Sequence, residues 1–198
     1  MEAISQLSRR YGFHVIEEAC HAIGGKYKEL PIGDCHYSDI TVFSFHPVKN
    51  MTTGEGGMAV TNDKKLADKM ARLRSHGITR EPDEMTSDAD GSWYYQQVEL
   101  GFNYRMTDLQ AALGVSQLKR LDDFICRRHE IANQYSELLS DLPVQSQYQP
   151  EGFYSGMHLY VIRLDVDCIN KTRQQIFGEL KEAGIGVNVH YIPVHLQP

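Results

Sequence analysis

No stretch of the 198-residue sequence approaches the roughly 18 consecutive apolar residues that a membrane-spanning helix needs, so helical membrane insertion is excluded. Basic charge is in short supply: 20 Lys plus Arg stand against 26 Asp plus Glu, a formal charge of -6. Such a surface repels phosphate polymers, and nucleic acid is not expected as a partner, although a local anion site is still allowed. Cysteine is sparse as well. Cys20, Cys35, Cys126 and Cys168 lie far apart with no C-x-x-C pair, and no basic-then-apolar leader opens the sequence. A reduced, cytoplasmic setting is the expectation. Hydrophobic residues at 41% and charged residues at 23% are globular values that exclude a disordered or collagen-like chain. The length gives room for one domain with a sizeable core, or a portion of a larger one.

What is present alternates between strand and helix signals. Met1 to Tyr11 carries Ile4 and Leu7 on one helical face, and Gly12 is a stop signal. Phe13 to Ile16 and the β-branched, aromatic run Ile40 to Phe45 read as buried strands, with a turn or hairpin excursion (GGKYKELPIGD) between them. Gly57 to Val60 is a third strand, after which Asn62-Asp63 opens a helix with Leu66, Met70 and Leu73 spaced for one buried face. Gly77 to Tyr95 is acidic and without period, as a solvated loop is.

Thr107 and Gln110 form a capping box, and Leu109, Ala112, Leu113, Leu118 and Leu121 follow at helical spacing. The pattern runs on to Leu142, long enough to expect a break near Asp122-Asp123, and Pro143 ends it. His158 to Leu164 reads as a strand, Thr172 to Ala183 as a helix with its own capping box, and Gly186 to Tyr191 as a further strand. The fold class expected is α/β, with residues 1–145 in a larger domain and 146–198 beginning a smaller one. A helix before the first strand, and an extended segment at the other end, read as an internal portion of a longer fold.

Four clusters could carry chemistry. Ser44-Phe-His-Pro-Val-Lys49 runs out of the strongest strand into Thr52-Thr-Gly-Glu-Gly-Gly57, at the strand end where α/β proteins gather ligands. Lys49 is there either an amine nucleophile or an ordinary surface lysine. The glycines do not match a Walker phosphate loop. Glu17, Glu18 and His21 follow another strand and suit a cationic heterocycle, a metal or a satisfied turn, metal being the weakest because no further ligand stands at the right spacing. Asn103 and Arg105, at the mouth of the capped helix, suit either an anion or a local turn with a surface ion pair. Asn188, His190, Tyr191 and His195 mix polar and aromatic groups at a strand end, and the two histidines are poorly spaced for a metal.

Taken together, VIEEACHAIGG (15–25), SDITVFSFHPVKNMTTGEGGMAVTND (38–63), LRSHGITR (73–80), LGFNYRMTDLQAALG (100–114) and VHYIPVHLQP (189–198) closely resemble the DegT/DnrJ/EryC1/StrS sugar aminotransferases. The blocks occur in family order over almost the whole chain. They look most like the branch of the pseudaminic acid route that makes UDP-4-amino-4,6-dideoxy-N-acetyl-β-L-altrosamine. The resemblance implies a partial aspartate-aminotransferase-like (fold type I) chain that comprises part of a large domain and the start of a small C-terminal one. It also implies pyridoxal 5′-phosphate as cofactor, a UDP-linked 4-keto-6-deoxy amino sugar and an amino-acid donor, glutamate, as substrates, and a homodimer with shared sites.

By the same resemblance Lys49 falls on the Schiff-base lysine, and Glu18 on the carboxylate that pairs with the pyridinium nitrogen. His21 falls beside the cofactor ring and its phenolic oxygen, and Ser44 on a hydroxyl that contacts the phosphate. Asn103 falls on an asparagine that reaches the partner subunit's site. Asn188, His190 and Tyr191, with Ser44 and Asn103, fall on substrate-contacting positions. No metal is implied. Two departures stand out: Glu18 replaces the usual Asp, and a stretch with further phosphate donors that relatives carry before the first block is not in this sequence. They motivate a second expectation, a truncated, non-catalytic remnant that only dimerises. Sugar dehydratases on the same scaffold carry His in place of the lysine, and Lys49 argues against them.

Overall fold

A computed structural model describes residues 1–198. Contacts divide the chain into two units, residues 1–130 with 149–158, and residues 131–148 with 159–198.

The first unit is built on a three-stranded sheet. Helix α1 (Glu2–Tyr11) ends at Gly12 in the left-handed conformation, and β1 (Ile16–Glu18) follows. The strand starts three residues later than the apolar run suggests because pairing decides it: Ile16, Glu17 and Glu18 align parallel to Ile40, Thr41 and Val42 of β4 (Ile40–Ser44). Val15 is instead held by the Asp39 carboxylate, which accepts its N–H at 2.7 Å. Strand β5 (Gly57–Val60) runs antiparallel to β4 and completes the order β1-β4-β5.

Alternation along β4 buries Thr41 and Phe43, and Phe45 continues the inward side beyond the strand. Phe43, Phe45, Ala19 and Met51 form the core cluster, flanked by Ala22, Ile23, Ile32, Val60 and Met106. The expected excursion is a hairpin, β2 (Lys26–Tyr27) with β3 (Leu30–Pro31). Its two-residue turn places Lys28 and Glu29 at positive φ, as the primed turns of tight hairpins require.

Helix α2 (Lys64–Leu73) is capped by Asp63, whose carboxylate accepts the N–H groups of Lys65 and Leu66. None of its residues is fully buried; Leu66, Met70 and Leu73 are only half-buried. Strands β6 (Ile78–Thr79) and β7 (Gln96–Gln97) pair across the acidic loop. Helix α3 (Asp108–Leu118) carries the predicted capping box. The break comes slightly earlier than expected, since α4 starts at Leu121 and runs to Leu138.

The apolar positions of α3 face outward in this chain. Leu109, Leu113, Val115 and Leu118 are open, and Gly114 is its buried position. Strand β9 (Phe153–Tyr154) returns to pair with β2.

In the second unit β8 (Val144–Ser146) pairs antiparallel with β10 (Ile162–Leu164), so only the last part of the expected 158–164 strand is strand. Helix α5 (Arg173–Glu182) has the second capping box. Residues 186–191 are not a strand: no neighbouring strand pairs with them, and the Asn188 side chain accepts the Val189 N–H instead.

Candidate active site

Parallel pairing sets the site. Because β1 and β4 run the same way in register, their carboxyl ends lie together, and Glu18 and Ser44 leave the sheet at the same edge. Antiparallel β5 begins there too, with Gly57 opposite Ser44, so the Thr52–Gly57 turn returns to that edge. Between Ser44 and this turn runs the loop that bears Lys49.

Backbone and side-chain hydrogen bonds hold the loop. The His46 N–H donates to Ser44 Oγ (3.3 Å), and the Lys49 N–H donates to the His46 carbonyl (3.0 Å). The Phe45 carbonyl accepts both the Thr53 N–H and the Thr52 hydroxyl at 3.0 Å, and the Phe45 N–H donates to the Gly56 carbonyl at 2.8 Å. The Thr53 hydroxyl donates to the Glu55 carbonyl (2.6 Å), which the Gln110 amide of α3 reaches from outside (3.1 Å). Lys49 is half-buried at this edge.

Glu18 is exposed, and one of its oxygens accepts the Cys20 N–H at 2.9 Å. Hydrogen bonding from Cys20, side chain first and backbone second, holds the Glu18 carboxyl below the usual carboxylate range. The positive charges of His21 and Lys49 add to that lowering. The Cys20 thiol is pushed up, chiefly by burial and then by Glu18. The edge thus gathers an ionised carboxylate, an imidazole, a hydroxyl and a primary amine. This donor set fits a phosphorylated pyridine aldehyde: carboxylate for a ring nitrogen, hydroxyl for phosphate, amine for the aldehyde.

His158 joins the same place and had no signal of its own in the sequence. Its ring packs on that of His21 with centroids 4.4 Å apart.

Asn103 is not brought to Lys49. It lies on an exposed segment laced to the chain after α2: Ser75 bridges Asn103, the His76 N–H donates to the Phe102 carbonyl (2.8 Å), and the Tyr104 N–H donates to the Arg74 carbonyl (3.0 Å). Arg72 buttresses this lacing through ion pairs with Glu99 and Glu84, both at 2.6 Å, and Lys69 pairs with Glu99 as well. These pairs hold the Glu99 and Glu84 carboxyls low; for Glu99 the Lys69 hydrogen bond leads, and for Glu84 the Thr79 hydroxyl does. Asn188, His190 and Tyr191 belong to the second unit and are exposed there, with the His190 and Tyr191 rings 4.1 Å apart.

A carboxylate and a lysine-bearing loop at the carboxyl ends of parallel strands put the candidate site where α/β proteins gather ligands. The comparisons give the family: residues 1–198 match the DegT/DnrJ/EryC1/StrS aminotransferases, and the chain belongs to that family. It is 42% identical over 200 residues to the spore coat polysaccharide biosynthesis protein SpsC of Bacillus subtilis, covering 100% of this chain and 51% of that one. It is 40% identical over 196 residues to the UDP-4-amino-4,6-dideoxy-N-acetyl-beta-L-altrosamine transaminase of Campylobacter jejuni (98% and 49%).

Among solved structures, Helicobacter pylori PseC, an aminotransferase involved in the biosynthesis of pseudoaminic acid, superposes with a TM-score of 0.84 at 30% identity (98% and 50%). Spr1654 of Streptococcus pneumoniae in its PLP form does so with 0.81 at 32% (96% and 47%). The chain spans about half the length of the curated relatives it matches. The fold is that of part of a fold type I enzyme, and pyridoxal phosphate is the cofactor of the family.

Proposed function

We propose that the protein to which this chain belongs transfers an amino group, from glutamate, to a UDP-linked 4-keto-6-deoxy amino sugar in surface-polysaccharide biosynthesis. In that reading residues 1–145 are part of the cofactor-binding domain and 146–198 part of the smaller one. The observation that carries it is the in-register parallel pairing of β1 and β4, which brings Glu18 and the Ser44–Lys49 loop to one sheet edge. Names of relatives that act on nucleotide sugars support the substrate class.

Pyridoxal phosphate, when bound, supplies an electron-accepting ring for the carbon that gains or loses the amino group. Lys49 Nζ would hold the cofactor's aldehyde carbon and would be the amine placed to carry a proton at the reacting carbon. The Glu18 carboxylate, kept ionised by Cys20, would pair with the ring nitrogen and keep it protonated. Glutamate reaches one methylene further than aspartate, and the Cys20 N–H fixes where that extra length goes. The Ser44 hydroxyl would donate to the phosphate, and His21 would lie beside the ring.

Asn103 serves the neighbouring subunit of a homodimer. Its segment and the start of α3 form an open apolar strip, with Leu100 84% and Leu109 86% exposed and the Phe102 and Tyr104 rings stacked at 4.8 Å. That strip fits a surface covered by a second copy. In the second unit Asn188, His190 and Tyr191 contact the nucleotide sugar.

Mixing the intact protein with pyridoxal phosphate should give a new absorbance band, and borohydride reduction should fix the cofactor on the Lys49 peptide. Lys49→Ala should lose both. A wild-type protein with neither band nor labelled peptide would overturn the reading.

A further inference from the structure

Asn50 follows Lys49 directly, and unlike its neighbour it points into the protein, only 6% exposed. Its side-chain amide donates to the Gly156 carbonyl at 2.5 Å and reaches the Ile23 carbonyl at 3.4 Å. One planar amide thus joins the lysine loop, the turn after His21 and a segment more than a hundred residues away. Gly156 is seated without slack. A Cβ there would stand 2.8 Å from the Ile23 carbonyl oxygen, 3.2 Å from Asn50 Nδ2 and 3.3 Å from the His21 carbonyl oxygen.

The segment around Gly156 is itself anchored from α4. The Arg128 guanidinium donates to the carbonyls of Met157 (3.1 Å) and His158 (3.2 Å), while His129 Nε2 donates to the Ser155 carbonyl (2.8 Å) and its ring stacks on Tyr154. The anchored segment ends in His158, whose ring lies on His21.

We infer that Asn50 is a positioning residue of the site. By clamping the Ile23 and Gly156 carbonyls it fixes the backbone root of Lys49 against the turn that carries His21 and against the segment that carries His158. The inference rests on the reading of Lys49 as the cofactor anchor. A long flexible side chain is accurate at its tip only when its root is fixed, and misplacement of about an ångström at a reacting group is costly. Donor chemistry explains why this residue is an amide. Its two N–H groups meet two carbonyls, which a carboxylate would oppose and a hydrocarbon would leave without hydrogen bonds.

Asn50→Leu keeps the branched shape with some added bulk, adds no charge and removes the donor; the smaller Asn50→Ser keeps one hydroxyl donor and serves if the leucine variant does not fold. The measurement is competitive trace acetylation of lysines in the intact protein without cofactor, over a pH series, with exposed Lys65 as internal reference. It is followed by pyridoxal phosphate binding.

The expected result is a Lys49 acetylation profile displaced from wild type while that of Lys65 is not, and binding weaker by about tenfold, the effect of one lost buried hydrogen bond. A variant that melts earlier but keeps the wild-type Lys49 profile and cofactor affinity overturns the inference. Wild-type protein that never takes the cofactor on Lys49 overturns the underlying reading instead, so the two failures are distinguishable.

Discussion

Gly114→Ala sets two magnitudes of opposite sign against each other. Gly114 lies inside α3, where replacing glycine by alanine ordinarily adds about 1 kcal/mol of helix stability. Here the added Cβ would stand 2.9 Å from Thr53 Cγ2, with Met51 Cε at 3.9 Å. Thr53 has little freedom to yield. It is 3% exposed, its hydroxyl is bound to the Glu55 carbonyl at 2.6 Å and its N–H to the Phe45 carbonyl at 3.0 Å. Overpacking against such a neighbour costs about 1–3 kcal/mol, so the substitution should be destabilising by about 1 kcal/mol net.

Thr53→Ser removes the obstructing methyl and keeps the hydroxyl bond. In that background Gly114→Ala should be stabilising by about 1 kcal/mol, which makes the coupling between the two sites about 2 kcal/mol. Denaturant unfolding of the four proteins of this cycle reads the coupling directly. Equal stabilisation by Gly114→Ala in both backgrounds would refute the reasoning, because the loop that follows Lys49 would then not be seated on α3 as described.

Two further outcomes follow from the structure. Thr172→Ala removes the oxygen that accepts the Gln175 N–H at 3.2 Å and should destabilise the second unit by about 1 kcal/mol in denaturant unfolding, with Thr172→Ser near wild type. Glu18 titrates lower in the folded chain than the value of about 4.3 for a free glutamate, so its stabilising contribution is present above that pH and disappears as pH falls through the folded value. Glu18→Gln should therefore flatten the acid limb of the stability–pH curve and run parallel to wild type above pH of about 5. The effect is small because the carboxyl is exposed, and an unchanged acid limb would refute it.

What the sequence disclosed was local. Both capping boxes, the stop at Gly12 and strand β4 depend on neighbours within a few positions, and each stands where its residues suggest. What it concealed was pairing and distance. Phe13 to Val15 has the composition of a strand, but the ladder with β4 begins at Ile16, and residues 186–191 have strand composition with no partner strand. The Glu18, His21, Ser44 and Lys49 edge was readable through family resemblance, since each lies in a recognisable block. Asn50 and His158 were not, because their significance lies in contacts with residues far along the chain.

Helix α3 marks the boundary between these two kinds of information. Its leucines recur at helical spacing, and periodicity identifies a face that prefers to leave water without identifying what covers it. In this chain the side of α3 that packs inward is the one at Gly114, where the backbone comes close to Thr53, while Leu109, Val115 and Leu118 stay open. The same open character extends back through Tyr104, Phe102 and Leu100, the stretch that carries Asn103. This apolar pattern, which the fold of this chain does not use internally, is continuous with the segment that carries Asn103. The proposed homodimer would satisfy both together, a second copy supplying the cover and receiving the asparagine.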